Sequence, residues 1–269
     1  MGYTIAFSDV DGTLLDHNRE LSAYTIAEIK RISQHIPFVL ISSRMPSAMS
    51  HLQKSLGIED TPLICYNGGL ILINGQVAQS TTIPIQIIEE LIDFNTKDQV
   101  HLSLYHNDEW YVPQDDFWAN RERQNTKVTP TIKANHIVLQ EWKQKHKSAH
   151  KIMCMGEESA IDRLYDFMEK NFSTELHLYR SKPTYIEIAE KSISKKTAIQ
   201  HLLDQHFNLK VEDAVAFGDN YNDIEMIQFA GTGVAVKNAK PETIAVADYV
   251  TANGKEDGVA EFINKHIIF

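Results

Sequence analysis

Short apolar runs that each stop at polar, chemistry-bearing residues constrain this chain more than any other feature. Tyr3 to Phe7 ends at Ser8-Asp9, Phe38 to Ile41 at Ser42-Ser43-Arg44, Leu63 to Tyr66 at Asn67-Gly68, and Ala214 to Phe217 at Gly218-Asp219. Runs of this length with no polar alternation are the pattern of strands buried on both faces of a parallel sheet. Helical patterns separate the first three. Ser22 can cap a segment reaching Ser33, with Ile26, Ile29 and Ile32 at helical spacing. Pro46 suits the start of another, whose Met49, Leu52 and Leu56 form a stripe that Gly57 stops. Asn67-Gly68 and Asn74-Gly75 then bracket Leu70 to Ile73, a tight-turn signature. The β-α-β-α-β order predicts an α/β fold: a Rossmann-like, doubly wound parallel sheet with helices on both faces.

The pattern is interrupted and then resumes. From about Thr82 to Ala189 all three tryptophans occur, Trp110, Trp118 and Trp142, with half of the histidines. The spacing there predicts a helix over Ile85 to Thr96, strands over Val100 to Tyr105 and Trp110 to Val112, a strand over Lys151 to Met155, a helix over Glu157 to Lys170, and paired strands near Leu176 to Tyr179 and Tyr185 to Ile188. After Ser194 the β-α alternation returns. The expected organisation is a core of residues 1–81 and 190–269, interrupted by an inserted α+β domain of residues 82–189.

Composition narrows the function. Thirty-six acidic against 26 basic residues give a net charge of −10, a field that repels nucleic acid. Cys65 and Cys154 lie in apolar strand-like runs, so buried free thiols and a reducing, cytoplasmic setting are expected. The first residues lack the basic and apolar regions of a secretory signal, and no apolar run is long enough to span a membrane.

The chemistry concentrates where strands end. Asp9-Val10-Asp11-Gly12-Thr13 follows the first strand and Gly218-Asp219-Asn220-Tyr221-Asn222-Asp223 follows a later one. Tips of neighbouring parallel strands adjoin, so these acids converge at the edge where open α/β sheets build their sites. Carboxylates so crowded repel one another unless they hold a hard divalent cation, and oxygen donors suit Mg²⁺. Asx-turns or helix caps use the same residue types but do not call for two acid clusters. Ser42 can donate to a phosphoryl oxygen, and Lys195 in KSISKKT can balance charge developing on a transferring group.

The ordered set DVDGT, LISSR, NGG, SISKK and GDNYND resembles the haloacid dehalogenase superfamily and, within it, the Cof-type phosphatases. The resemblance spans nearly the whole chain, and the insertion lies where that family carries a cap. It implies an Mg²⁺-dependent phosphatase of small phosphorylated metabolites, with sugar phosphates the class that relatives of this kind suggest, acting through an aspartyl-phosphate. Asp9 would be the nucleophile, and Asp11 the acid for the leaving alcohol and then the base for water. Asp9, Asp219 and the Asp11 backbone carbonyl would hold Mg²⁺, with Asp223 and Asn222 orienting the metal's waters and Lys195. Ser42 and the Asp11–Gly12 loop would cradle the phosphoryl group, and Asn67 and Gly68 would face the substrate. Ser42 and Ser43 stand where the family has Thr and Gly, leaving Ser43 as the alternative hydroxyl, and Lys196 replaces a common Gly. The cap would close over the sheet edge and set specificity. A sugar phosphomutase and a non-catalytic phosphometabolite sensor are the competing readings.

Overall fold

The computed structural model describes residues 2–269. Its elements run β1 (Ile5–Ser8), α1 (Ala23–Ile32), β2 (Phe38–Ile41), α2 (Ser47–Leu56), β3 (Leu63–Cys65), β4 (Leu70–Ile73) and β5 (Gln76–Ser80). Next come α3 (Ile85–Phe94), β6 (His101–His106), β7 (Glu109–Val112), α4 (Phe117–Thr126), β8 (Thr131–Ile132), α5 (Asn135–Gln144), β9 (Lys151–Met155), α6 (Glu158–Phe172), β10 (Leu176–Lys182) and β11 (Tyr185–Glu190). The chain ends with α7 (Lys195–Leu202), β12 (Ala214–Gly218), α8 (Ile224–Phe229), β13 (Thr232–Ala235), α9 (Pro241–Ile244), β14 (Tyr249–Val250) and α10 (Gly258–His266). Two compact units result, residues 1–79 with 194–269, and residues 80–193. The second reaches slightly beyond 82–189 at both ends, since the β10-β11 ribbon continues to Glu190.

The first unit is built on an eight-stranded sheet in the order β14-β13-β12-β1-β2-β3-β4-β5. Strands from β14 to β3 are parallel, and β4 turns back antiparallel to β3. The apolar runs form its centre: Ile5, Phe7, Val39, Ile41, Ala214 and Ala216 pack against Ile199 and Leu202 of α7. Register decides what happens at the tips. Ser8 lies level with both Phe217 and Leu40, so Asp9 leaves β1 beside the ends of β12 and β2.

Local signals hold where they were clearest. Ser22 Oγ accepts from Thr25 N–H at 3.0 Å to cap α1, and Gly57 ends α2 at a left-handed φ of 68°. The helix after Asp219 starts with a single 3₁₀ turn, Tyr221–Asp223, before α8.

The second unit is a six-stranded sheet ordered β10-β11-β9-β6-β7-β8, antiparallel except where β8 joins β7. Alternate residues Leu102, Leu104, Ile152, Cys154, Ile186 and Ile188 point to one face, packed with Ile88, Leu91, Trp142, Leu164 and Met168 from α3, α5 and α6. Helices α4 and α5 occupy a stretch for which sequence periodicity predicts no element. Cys65 and Cys154 are buried and free, and burial pushes the Cys154 thiol well up. Among the described residues no helix is long and apolar enough to cross a membrane.

Within this unit His150 is fully buried, accepting from Asn107 N–H through Nδ1 at 3.1 Å and contacting Ser80 Oγ through Nε2 at 2.9 Å. Burial, with the nearby His106, lowers its pKa to about 3. A histidine neutral when folded must gain a proton on unfolding at acid pH, so its contribution is present above pH 6.5 and is lost progressively as pH falls toward 3. Lowering pH from 7.5 to 5 should therefore cost about 2 kcal/mol of stability. Thermal unfolding across that range should show the decline, flattened in His150→Asn.

Candidate active site

The two acid loops meet because β1 and β12 are paired neighbours. Asp9 N–H donates to Phe217 O at 2.9 Å, tying the first loop to the end of β12. Gly12 takes a φ of 93°, and a Cβ there would come within 2.4 Å of Asp219 Oδ2. Only glycine lets the loops close to this distance. Asn238 braces the same loop, donating to Gly12 O at 2.8 Å while its Oδ1 accepts from Gly254 N–H at 2.7 Å.

Lys195 lies at the centre, with no side-chain exposure, donating to Asp9 Oδ1 at 2.6 Å and Asp223 Oδ1 at 2.5 Å. Ser194 positions it by capping α7, its Oγ accepting from Thr197 N–H at 3.2 Å. Burial alone would favour the neutral amine, but the Asp223 and Asp9 carboxylates override it and raise the lysine's pKa. The second oxygen of Asp223 is also taken, accepting from the N–H groups of Asp219 and Asn220 at 2.9 Å each. Asp223 is thus a fully bonded buttress.

Asp9 and Asp219 are different. Asp9 Oδ2 is buried without a hydrogen-bond partner among the described residues, and the Asp219 carboxylate accepts from the Thr13 hydroxyl through Oδ1 at 3.2 Å. Ligand-capable oxygens of Asp9, Asp219 and Asp223 all lie within 4.8 Å of one another. Burial raises the pKa of Asp9 well above the usual range, helped by Asp223 and Asp219 and opposed by Lys195. Burial, then repulsion from Asp223, lifts Asp219 to about 6. One ammonium does not balance this many acids, and an orphaned carboxylate oxygen beside a second carboxylate is a hard-oxygen donor set that fits Mg²⁺.

Asp11 faces an opposite environment. Arg44 grips it twice, Nε to Oδ2 and Nη2 to Oδ1, both at 2.7 Å, and Arg19 Nη2 adds a bond to Oδ1 at 2.6 Å. Burial would raise its pKa, but the Arg44 bonds and charge, then Arg19, hold it below the ordinary carboxylate value. Neither arginine stood out as functional in the sequence. Arg44 was visible as the end of LISSR, whereas nothing in HNRE marked Arg19.

The remaining candidates line the same edge. Ser42 is 1% exposed at the end of β2, its Oγ accepting from Arg44 N–H at 3.3 Å and its carbonyl from Asn67 N–H at 2.9 Å. Asn67 has φ 55° and Gly68 φ 107°, and a Cβ on Gly68 would lie 2.7 Å from Ser194 O, so this loop packs onto the start of α7. Asn222 donates to Asn67 Oδ1 at 3.1 Å, placing it against that loop. The set can hold a cation, present a buried carboxylate as nucleophile, and place a second carboxylate on an arginine fork.

Residues 6–263 match the haloacid dehalogenase-like hydrolase family. A provisionally assigned phosphatase of Haemophilus influenzae is 32% identical over 266 residues, 97% of each chain. A Bacillus subtilis 5-amino-6-(5-phospho-D-ribitylamino)uracil phosphatase is 26% identical over 98% of this chain and 97% of its own. A crystal structure from Thermotoga maritima superposes with a TM-score of 0.89 at 26% identity, covering 99% of this chain and 98% of that one. Acid clusters on adjacent strand tips, the buried lysine between them and a match along nearly the full length agree: the chain belongs to the haloacid dehalogenase-like hydrolases, in their Cof-type branch, and is a phosphatase.

Proposed function

We propose that the protein is an Mg²⁺-dependent phosphomonoesterase of small metabolites, sugar phosphates foremost, working through an aspartyl-phosphate on Asp9. The observation that carries this reading is the buried Asp9 carboxylate, bonded to Lys195 on one oxygen and free of protein partners on the other. A carboxylate so placed can form a bond to phosphorus and split hydrolysis into two easier displacements. The sugar-phosphate class draws support from the Bacillus subtilis relative, which acts on a phosphorylated ribityl compound.

In the first step an Asp9 oxygen bonds phosphorus as the ester P–O bond breaks, and Asp11 gives a proton to the departing oxygen. In the second, Asp11 takes a proton from the water that attacks the aspartyl-phosphate, releasing inorganic phosphate and restoring Asp9. The carboxylate form that Arg44 favours is the one the second step needs, and Asp11 must be protonated on entering the first. Lys195 opposes the burial that favours a protonated Asp9. Ser42 and the Gly12 loop would hold the phosphoryl oxygens. Asp9, Asp219 and the Asp11 carbonyl would hold Mg²⁺, which, when bound, draws charge from the phosphoryl group. Asp223, with both oxygens engaged, fixes Lys195 and the Asp219 loop.

Phosphate release from a panel of sugar phosphates should require Mg²⁺, cease with chelator, and fall roughly a thousandfold or more in Asp9→Asn. Undiminished turnover by Asp9→Asn would remove the covalent mechanism. Lys195→Met leaves two buried carboxylates without their cation, a change that costs about 3–5 kcal/mol when a buried pair is broken. Urea unfolding without divalent ions should register that loss, and added Mg²⁺ should recover part of it.

A further inference from the structure

Asp11 carries more cation than its own charge requires. Arg44, with a 6% exposed side chain, takes both carboxylate oxygens and is itself fixed by Nη1 donating to Ala48 O at 3.1 Å. That pair already neutralises Asp11. Arg19 nonetheless adds a second guanidinium at 2.6 Å, from a surface turn and with 45% of its side chain exposed. The turn is closed around Asp16, whose Oδ1 accepts from the N–H groups of Asn18 and Glu20. Asp16 N–H donates to Glu20 O, and Arg19 N–H to Asp16 O. Inside it Arg19 adopts a φ of 62°, a left-handed conformation unfavourable for a long side chain. An exposed ion pair adds little stability, so stability does not explain a strained backbone that aims this arginine. The guanidinium has five N–H donors, and among the described residues its side chain engages Asp11 through Nη2 alone.

We propose that Arg19 determines specificity by binding a second anionic group on the leaving-group side of the substrate. The inference rests on the reading of Asp11 as the acid for the leaving oxygen. With Asp11 at hydrogen-bond distance from that oxygen and Arg19 2.6 Å from Asp11, the remaining guanidinium donors reach a carboxylate or phosphate carried on or beside the ester carbon. Arg44 is less suited to this purpose, because its side chain is 6% exposed and each of its three nitrogens already donates, to Asp11 or to Ala48. A second anion entering a site with four aspartates in a chain of net charge −10 needs a facing cation, and Arg19 is the exposed one beside Asp11. The substrate class is a phosphorylated hydroxy acid, or a bisphosphate with its two groups close together.

The test compares 2-phosphoglycerate with glycerol 2-phosphate, which differ by a carboxylate against a hydroxymethyl group on the ester carbon. The wild type should prefer 2-phosphoglycerate in kcat/KM. Arg19→Ala should reduce that preference roughly ten- to a hundredfold, the range for a hydrogen bond to a charged group. Arg19→Lys, which keeps the charge without the fork, should retain part of it. A loss of equal size on both esters overturns the proposal, since Arg19 would then act only through Asp11. A preference that survives Arg19→Ala overturns it too. Turnover of sugar phosphates but of neither glycerol-derived ester refutes the inference alone, whereas no release from any phosphomonoester removes the phosphatase reading with it.

Discussion

Carboxylate repulsion at the tip of a parallel sheet is the constraint around which the catalytic unit is organised. Asp9, Asp219 and Asp223 crowd together, and Lys195 supplies one compensating charge from within the protein. Much of the surrounding structure follows from keeping that ammonium in place. Ser194 caps the helix that delivers it, the Asn67–Gly68 loop packs against the same turn, and Gly12 and Gly218 give the acids room. At Gly218 a Cβ would lie 2.6 Å from that of Asp223. The charge left over is not an error in the design of the site. Under the reading proposed above, a divalent cation bound to Asp9 and Asp219 would offset it.

Two aspartates separated by one valine experience opposite fields. Asp9 is pushed up by burial and by its acidic neighbours, Asp11 pulled down by its arginines. Nothing about the residues themselves distinguishes them; β1 ends at Ser8 and the chain turns from Asp11 onward, so the two carboxylates meet different partners, Lys195 for one and Arg44 for the other. A bidentate guanidinium also sets the plane of the Asp11 carboxylate, so Arg44 governs direction as well as charge.

The strands and the acid loops were legible because their signals are local: apolar runs of strand length, closed by acids. The buried Lys195 was legible through motif order, since a lysine in KSISKKT looks like surface charge until the fold places α7 beneath the sheet edge. Other features depend on tertiary geometry. Asn222 read as part of the acid cluster, yet a 3₁₀ turn directs its amide to Asn67. Helix α4 buries only Ala119 and Thr126, so FWANRERQNT shows no apolar stripe, and its start depends on Asp116 accepting from the Trp118 and Ala119 N–H groups. Arg19 lies in a wholly polar segment, where a turn and not a periodicity decides which way it points.

The central strand pair has a consequence for how the chain is made. Ile5 on β1 pairs with Ala214 on β12, roughly 200 residues later, so the middle of the core sheet closes only after most of the chain has been synthesised. The 80–193 unit is continuous in sequence and owns its hydrophobic cluster. On the ribosome it can therefore complete its sheet while β1 still awaits β12. The entropy of closing the long loop is lessened by that prior collapse, because an already folded insertion spans less distance than an open chain. The same order leaves the edge of β1 open until β12 arrives, a vulnerable interval for a strand buried on both faces at the end.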